Sequence, residues 1–430
     1  MREFHRSKRI LLTAFMMAAM VIATLQGHAQ TSDTLVVRAL ESKGIRFSHN
    51  NSVTLLMSGQ EKFDDLFKAI DQARSSIHME YFNFRNDSIN RELISHLAPK
   101  VKEGVEVRLL YDAFGNMSNN SPMRKKDIAA IRALGIEIYQ FDPIRFPFVN
   151  HVWSRDHRKI VVIDGCVAYT GGMNVADYYI KGTDQVGEWH DMHCRIEGDA
   201  VNELQRIFLR IWNKTAKQNI HGPQYYRGLG DISYFHGLKT DSCQSREHQL
   251  VGIINREPRT SSTIIRDFYL SAINSAKDSI KIINPYFTLI GPLKRAIKKA
   301  VKRGVKVDIM LSVKCDEPIT PDCGFYNAHK LMKKGCHIWM FEPGFHHTKI
   351  IMVDGRLCTV GSANLDSRSL RFDYEENAVI INKCVTAQLE HLFNSQKGDS
   401  FKLTEKKWKE WRTPWQRFRA WFAHLLSPWL

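Results

Sequence analysis

One pattern of spaced residues, His-x-Lys-x4-Asp followed at a fixed distance by Gly-x-x-Asn, occurs twice in this chain. The two copies are His157, Lys159, Asp164, Gly171 and Asn174, and His347, Lys349, Asp354, Gly361 and Asn364. A lone His-x-Lys-x4-Asp arises often, but two matched copies are very hard to ascribe to chance. The duplication therefore predicts two similar halves that together build one site.

The repeat extends beyond the motif. Other segments recur in the same order about 200 residues apart. They are residues 71–77 with 274–280, 101–107 with 301–307, and 135–141 with 335–341. The spacing then shortens before the histidine motif, so the first half has an extra loop, residues 142–156, beside its histidine.

Each half alternates β-rich runs with amphipathic stretches of helical spacing. In the first half the β-rich runs are residues 77–84, 105–111, 135–141 and 159–163, and the helical stretches include 63–73 and 125–134. This rhythm predicts the α/β class, with two similar α-β-α sandwich lobes and the site at their interface. We assign residues 30–217 to the first lobe, 218–249 to an inter-lobe segment, 250–394 to the second lobe and 395–430 to a tail.

Composition narrows the class of protein. The chain has 430 residues with 43% hydrophobic and 25% charged content, which excludes a disordered or fibrous protein and allows two domain-sized cores. Its net charge of +16 would attract nucleic acid, anionic lipid headgroups or other phosphate-bearing partners. Charge alone does not choose among these partners.

The first 29 residues are typical of a targeting segment. Basic residues precede an apolar run, residues 10–25, and Gly27 and Ala29 are small residues suited to signal-peptidase cleavage. The run is shorter than the roughly 20 residues that a bilayer span needs. We favour a cleaved signal peptide over residues 1–29, with an uncleaved N-terminal membrane anchor as the alternative.

The eight cysteines include no Cys-x-x-Cys pair, which argues against a zinc site and against a dense disulfide scaffold. We expect ordinary buried thiols. Cys315 and Cys323 flank a turn-rich segment and could form a loop-closing disulfide if the chain is exported.

The residue types of the motif suit the cleavage of a phosphodiester. Lys159 and Lys349 can stabilise charge on the nonbridging phosphate oxygens. One histidine can attack phosphorus, and the other can pass the proton as general acid and then as base. On a strand, His-x-Lys points both side chains to one face, and Asn174 and Asn364 can donate further hydrogen bonds to phosphate. This chemistry needs no metal or other cofactor.

Asp164 and Asp354 are open to two interpretations. Each precedes a glycine directly after a predicted strand, and Asp-Gly is a good turn former. They could equally support the active site.

The duplicated motif resembles that of the phospholipase D superfamily, and the chain from residue 48 onward is most similar to bacterial cardiolipin synthases. The resemblance implies that His157 is the nucleophile and His347 the general acid. It also implies that a carboxylate after each motif orients an imidazole. Residues 189–198 make Asp191 one candidate, and residues 368–375 make Glu375 the other, with Glu376 left open.

The tail contains five of the nine tryptophans, interleaved with basic residues. Its face of apolar residues at helical spacing consists of Trp411, Trp415, Phe418, Phe422 and Leu425. Indole with lysine and arginine is typical of an interfacial membrane helix, and a helix docked on the protein's own core is the alternative. The tail also resembles the end of cardiolipin synthases, which favours membrane association.

The resemblance implies a phosphatidyltransferase that joins two phosphatidylglycerol molecules into cardiolipin and releases glycerol through a phosphohistidine intermediate. A hydrolase of the same superfamily, a phospholipase D or a basic secreted nuclease, is the alternative, and the intact motifs argue against a silent lipid-binding scaffold. The expected partners are phosphatidylglycerol and an anionic membrane surface, nucleic acid stays open, and no obligate protein partner is evident. We expect the protein at the cell membrane, peripheral or N-terminally anchored, with its catalytic body on the periplasmic or outer side.

Overall fold

The computed structural model of the protein describes residues 31–118, 120–143, 153–226, 234–240, 243, 249–318, 320–425 and 427. The predicted signal peptide or anchor and most of the extra loop of the first half lie outside these residues. Within the described ranges, no helix has the length and apolar character that crossing a bilayer requires.

The strands and helices alternate along the chain. The strands are β1 (Phe47–Ser48), β2 (Asn51–Leu56), β3 (Ser76–Tyr81), β4 (Glu106–Asp112), β5 (Glu137–Phe141), β6 (Ile160–Ile163), β7 (Val167–Gly171), β8 (Trp189–His190), β9 (His193–Gly198), β10 (Leu250–Arg256), β11 (Ser279–Ile283), β12 (Lys306–Ser312), β13 (His337–Phe341), β14 (Phe345–His346), β15 (Ile350–Val353), β16 (Leu357–Gly361), β17 (Glu375–Ile381) and β18 (Ser400–Lys402). The helices are α1 (Ser32–Glu41), α2 (Gly59–Asp71), α3 (Ser88–Lys102), α4 (Ala113–Ser118), α5 (Lys125–Ala133), α6 (Tyr178–Lys181), α7 (Val201–Ala216), α8 (Ile264–Ser275), α9 (Gly291–Lys302), α10 (Thr320–Met332), α11 (Ser367–Arg371), α12 (Lys383–Gln396), α13 (Glu405–Trp411) and α14 (Pro414–Leu425).

Two large mixed sheets share the same central topology. The first has the order β2-β9-β7-β6-β3-β4-β5, and the second has β1-β10-β17-β16-β15-β11-β12-β13-β18. The run β9-β7-β6-β3-β4-β5 thus corresponds strand for strand to β17-β16-β15-β11-β12-β13. In both runs the last three strands are parallel and the others antiparallel. The predicted α/β class with two similar lobes is confirmed.

The two sheets pack on one another through a shared apolar core. Strands β6 and β15 read Ile-Val-Val-Ile and Ile-Ile-Met-Val, and every one of their residues is buried. Alternate residues point to opposite faces, so one set fills the lobe's own core and the other fills the layer between the sheets. Ile160 and Val162 meet Ile350 and Met352 in this shared layer. The motif strands therefore lie where the lobes join.

Residues 32–48 belong to the second lobe, although we assigned them from the sequence to the first. Val36 and Leu40 of α1 lie in the core of the second lobe, and β1 pairs with β10. Asp33 accepts a hydrogen bond from the Arg356 side chain at 3.1 Å. The apolar spacing of an amphipathic helix predicts which of its faces is buried, but it does not predict which lobe covers that face.

The start of the tail is also part of the second lobe. Strand β18 extends the sheet beside β13, and Trp408 of α13 is buried in the same core. The predicted interfacial face is therefore split, because Trp411 packs against the core while the later residues lie on a separate helix, α14.

A disulfide joins Cys243 of the inter-lobe segment to Cys384 of α12, whereas Cys315 and Cys323 are free. The predicted loop-closing disulfide is therefore wrong. Cys323 lies inside α10 and is buried, so the helix carries it into the core and away from the turn-rich segment.

Candidate active site

The backbone of each motif histidine is hydrogen-bonded to the opposite lobe. The N–H of His157 donates to the carbonyl of Tyr374 at 3.0 Å, and the N–H of His347 donates to the carbonyl of His190 at 2.7 Å. The next residues along those partner segments are Glu375 and Asp191. Each lobe thus places a carboxylate beside the histidine of the other lobe.

These carboxylates contact the imidazole rings directly. Nδ1 of His157 lies 3.1 and 3.2 Å from the two carboxylate oxygens of Glu375, and Nδ1 of His347 lies 2.7 Å from Oδ2 of Asp191. A carboxylate at Nδ1 holds the proton on that nitrogen and leaves Nε2 for chemistry. The geometry brings together the residues that the resemblance implied, and it does so across the lobe interface.

Strand register shows that Asp191 and Glu375 occupy equivalent positions. Gly171 of β7 pairs with His193 of β9, and Gly361 of β16 pairs with Asn377 of β17. Each carboxylate stands two residues before the residue that pairs with the motif glycine. This equivalence selects Glu375 over its neighbour Glu376, which instead accepts a hydrogen bond from the Thr170 hydroxyl at 2.6 Å.

Close packing explains the glycine of the motif. A Cβ atom on Gly171 would overlap the backbone of Met192 and His193, and one on Gly361 would overlap Glu376 and Asn377. The strand that bears the carboxylate can approach the motif strand because both positions lack a side chain.

The residue after each motif glycine differs between the lobes. In the first lobe it is Gly172, where a Cβ would overlap the carboxylate of Asp191. In the second lobe it is Ser362, whose hydroxyl donates a hydrogen bond to Glu375. The two halves of the site are therefore similar but not identical.

The motif lysines are buried and lie against the histidines. Nζ of Lys349 is 2.9 Å from Nδ1 and 3.1 Å from Nε2 of His347, and Nζ of Lys159 donates to the carbonyl oxygen of His157. Burial, opposed by Glu375 and reinforced by Lys349, lowers the pKa of Lys159 to about 7. Burial also lowers the pKa of Lys349, with Asp191 opposing the shift. Burial disfavours the charged form of both lysines, so an anionic group placed beside them would raise their pKa values and be stabilised by the protonated ammonium groups.

Both histidines are neutral at neutral pH. Burial, reinforced by Lys159 and opposed by Glu375, lowers the pKa of His157 to about 4. Burial and Lys349 lower the pKa of His347, while Asp191 opposes the shift. A neutral imidazole retains the lone pair that a nucleophile or a base requires.

The carboxylates stay ionised despite their burial. Burial by itself raises the pKa of Asp191, but Lys349 and His347 bring it below its ordinary value. Glu375 behaves in the same way, because burial raises its pKa while His157 and Lys159 lower it by more. Both can therefore stabilise a positive charge on the adjoining imidazole.

The two motif asparagines have different surroundings. The side chain of Asn174 accepts the backbone N–H of Asn83 and donates to the Tyr179 hydroxyl, both at 3.2 Å. Asn364 is buried, and its Oδ1 accepts no hydrogen bond from the residues that the structure describes. Their predicted contacts to phosphate stay a prediction.

Asp164 and Asp354 lie outside the site. The carboxylate of Asp164 accepts the backbone N–H groups of residues 74–76 at 2.7 to 2.8 Å, and that of Asp354 accepts those of residues 277–279 at 2.8 to 3.0 Å. These groups stand at the start of β3 and β11, whereas the ring of Phe82, just past the other end of β3, lies 5.1 Å from the ring of His157. These contacts favour the turn interpretation. Each aspartate holds the backbone at the end of its motif strand that lies farthest from the active site.

Aromatic side chains that sequence reasoning missed surround the histidines. Trp189, Tyr286 and Phe345 lie 5.3, 5.8 and 5.5 Å from the ring of His347, measured between ring centroids. Only Trp189 had a sequence signal, since it stands two residues before Asp191. The rings give the site apolar walls.

A third buried lysine also escaped sequence reasoning. Lys62 of α2 is fully buried, and its Nζ donates to the carbonyl oxygen of Asn174 at 3.1 Å. Burial lowers its pKa well below the ordinary value, although the charge of Asp191 opposes the shift. The equivalent position of the second lobe is an isoleucine, Ile265. Because the lysine is not duplicated, the internal repeat does not single out Lys62.

Comparison with known proteins agrees with this geometry. Residues 66–212 and 269–397 match the family model described as "Cardiolipin synthase, PLD-like domain". Cardiolipin synthase 2 of Staphylococcus epidermidis is 35% identical over 381 residues, which is 88% of this chain and 74% of the relative. Cardiolipin synthase of Oceanobacillus iheyensis is 33% identical over 397 residues, which is 92% of this chain and 78% of the relative.

A solved structure supports the fold. Phosphatidylserine synthase of Haemophilus influenzae superimposes with a TM-score of 0.68 at 15% identity, covering 92% of this chain and 100% of that protein. Such low identity bears on the fold alone. The family model, which covers both lobes and both histidine motifs, shows that this chain belongs to the cardiolipin synthase family of phospholipase D-like proteins.

Proposed function

We propose that this protein is a cardiolipin synthase, which transfers the phosphatidyl group of one phosphatidylglycerol to a glycerol hydroxyl of a second and releases glycerol. The observation that carries the proposal is the pair of histidines, each held at Nδ1 by a carboxylate of the other lobe. Relatives named cardiolipin synthase, similar over most of the chain, support the choice of phospholipid substrate.

In the first half-reaction, Nε2 of His157 attacks the phosphorus of a bound phosphatidylglycerol. The bond from phosphorus to the glycerol oxygen breaks, and a phosphatidyl-histidine forms. The anionic phosphate bound beside His347, together with Asp191, favours the imidazolium form of His347, which gives its Nε2 proton to the departing glycerol and becomes neutral. Glu375 stabilises the positive charge that develops on His157, because it already faces the Nδ1 proton.

In the second half-reaction, a hydroxyl of another phosphatidylglycerol enters. The neutral His347 accepts its proton, the hydroxyl oxygen attacks phosphorus, and the bond to His157 breaks to give cardiolipin. Lys159 and Lys349 lie beside the histidines and can stabilise the phosphoryl oxygens in both steps. By accepting the hydroxyl proton, His347 returns to the protonated form with which the cycle began, and Asp191 favours that form.

Acceptor choice depends on the exclusion of water. A hydrolase would use the same first step, and water would then replace the second lipid. The rings of Trp189, Tyr286 and Phe345 beside His347 support a lipid acceptor, because apolar walls disfavour a bound water and suit acyl-glycerol groups.

The experiment is an assay of the purified full chain in phosphatidylglycerol vesicles. We expect cardiolipin and glycerol in equal amounts, and no product with His157→Ala or His347→Ala. Phosphatidic acid with glycerol, and no cardiolipin, would identify a phospholipase D instead. Cleavage of DNA without lipid turnover would identify a nuclease.

We also infer that the catalytic body lies outside the cytoplasmic membrane. The basic and apolar N-terminal segment supports export, and the Cys243–Cys384 disulfide suits an oxidising compartment. Protease added to intact spheroplasts should degrade the body of the protein. Degradation only after lysis would place the body inside.

A further inference from the structure

Helix α14 presents an apolar face that no other segment of the described chain covers. The large hydrophobic side chains exposed on it, with their exposed fractions, are Trp415 67%, Phe418 50%, Trp421 43%, Phe422 51% and Leu425 51%. In the rest of the described chain the exposed large hydrophobic residues are scattered over separate elements: Leu35, Met117, Leu134, Trp153 and Ile180. A contiguous exposed patch of this kind marks an interaction surface.

The helix is docked by its opposite side. Ala420 and Ala423 are buried where α14 packs on α10. At about 100° per residue, the five exposed side chains span roughly a third of the helix circumference, directly opposite these alanines. Arg417 and Arg419 lie on the two flanks of this face. The arrangement is an apolar stripe bordered by positive charge, as in helices that lie in a membrane interface.

Buried polar contacts hold α14 in this orientation. Asp322 of α10 is buried, and the guanidinium groups of Arg412 and Arg419 both pair with it. The ring of His424 stacks on Tyr326 with centroids 4.7 Å apart, and Nζ of Lys294 lies 3.4 Å from Nδ1 of His424. The helix therefore displays its aromatic face on a defined support.

The two helices on which α14 is docked, α9 and α10, begin at the catalytic end of the second lobe. Helix α9 follows the loop that bears Tyr286, whose ring is 5.8 Å from that of His347. Helix α10 follows the loop that bears Asp316, which accepts the Tyr286 hydroxyl at 2.7 Å. Since α14 contacts Lys294 in the first turns of α9 and Asp322 at the start of α10, it stands on the same side of the lobe as the active site.

We propose that the exposed face of α14 is a docking surface for the anionic phospholipid bilayer, which turns the catalytic end of the protein toward the membrane. The inference rests on the proposed function and deepens it, because it states how a site for phospholipid reaches substrate that stays in its bilayer. Indole and phenyl rings favour the interfacial region, and Lys294, Lys330, Arg417 and Arg419 lie on or beside the helix to meet anionic headgroups.

Size argues against a second copy of the chain as the occupant. A specific protein interface buries about 1,600 Å² in total, or about 800 Å² on each partner. The exposed parts of five side chains on a three-turn helix provide less than that. A bilayer needs no complementary partner surface, and its affinity increases with the apolar area that enters it.

Fluorescence quenching tests the contact without depending on catalysis. The full chain is mixed with vesicles of phosphatidylglycerol whose acyl chains carry bromine, which quenches tryptophan only at short range. We expect strong quenching in the wild type and loss of most of it in the double variant Trp415→Phe/Trp421→Phe, which keeps the apolar face. The matched control is Trp339→Phe, which removes a part-buried tryptophan of β13 and should leave the quenching unchanged.

Activity gives a second readout. The triple variant Trp415→Ser/Phe418→Ser/Phe422→Ser should turn over bilayer phosphatidylglycerol about tenfold more slowly or worse. Each ring that is lost removes apolar area that would otherwise enter the bilayer. Turnover of a water-soluble short-chain phosphatidylglycerol should stay at the wild-type rate. The control Leu134→Ser removes an exposed apolar side chain just before β5, at the end of the first lobe opposite to the active site, and should not change either rate.

Three results would overturn the proposal. One is wild-type quenching in the double tryptophan variant. Another is an equal loss of bilayer turnover in the serine triple variant and its first-lobe control. The third is a lipid-free dimer that the triple variant converts into a monomer, which would make this face a subunit interface. Absence of cardiolipin synthesis together with intact, α14-dependent quenching would instead refute only the proposed function.

Discussion

Two adjacent carboxylates, Glu375 and Glu376, allow a sharp test of the cross-lobe site. Both are fully buried, and both change to glutamine without a change in shape. Glu375 faces Nδ1 of His157 and is ionised, since His157 and Lys159 more than offset the burial that raises its pKa. For Glu376, burial raises the pKa to about 8, so that it is protonated at neutral pH and resembles glutamine already.

The expected magnitude follows from the contact that each variant loses. Glu375→Gln replaces a hydrogen bond to a charged group, worth about 1.5–3 kcal/mol, and 1.36 kcal/mol corresponds to a factor of ten. We expect kcat to fall about 10- to 200-fold for this reason alone. The loss can approach about 10⁴-fold, because the glutamine amide can donate to Nδ1 and select the tautomer with its proton on Nε2. Glu376→Gln should stay within about threefold of the wild type, because the glutamine oxygen can still accept from Thr170.

The assay is the initial rate of glycerol release from phosphatidylglycerol vesicles, with thermal unfolding measured on the same preparations. The two variants should unfold at similar temperatures. An equal loss of activity in both variants would refute the assignment of Glu375, and so would a Glu375→Gln variant that keeps a third or more of the wild-type kcat.

Further predictions concern pH, the motif aspartates and the motif glycines. The ratio kcat/KM should decrease below pH about 4, where His157 gains a proton, and on the alkaline side, where Lys159, whose pKa is about 7, and the general acid His347 lose theirs. A ratio that stays constant from pH about 4 to pH about 9 would contradict this assignment. Asp164→Ala should lower the free energy of unfolding by about 2–4 kcal/mol, measured with urea, because three backbone N–H groups lose a charged acceptor. The kcat of the folded fraction should be unchanged, and a specific loss of kcat would return Asp164 to the active site. Gly361→Ala should destabilise the protein by about 1–3 kcal/mol in the same urea measurement, since its Cβ overlaps β17, whereas Gly291→Ala at the start of α9 should have little effect.

Much of this protein is determined by its sequence, because the relevant signals are local. The motif spacing identifies His157, Lys159 and their second-lobe counterparts, and the alternation of β-rich and helical segments predicts two α/β lobes. The composition of the tail indicates an amphipathic helix. Each of these signals is complete within a short stretch of chain, where strand or helix period sets which side chains share a face.

Only the tertiary structure decides how distant parts combine. Glu375 contacts the imidazole of His157 although 218 positions separate them in the sequence, and Asp191 contacts that of His347 across a separation of 156. Each imidazole therefore depends on a carboxylate of the other lobe. The fold also assigns α1 to the second lobe and turns the aromatic face of α14 away from the core. Local periodicity specifies that a face is apolar or that a carboxylate follows a motif. It does not specify the partner, because the partner is selected by burial and hydrogen bonding between segments that meet only after both sheets have packed together.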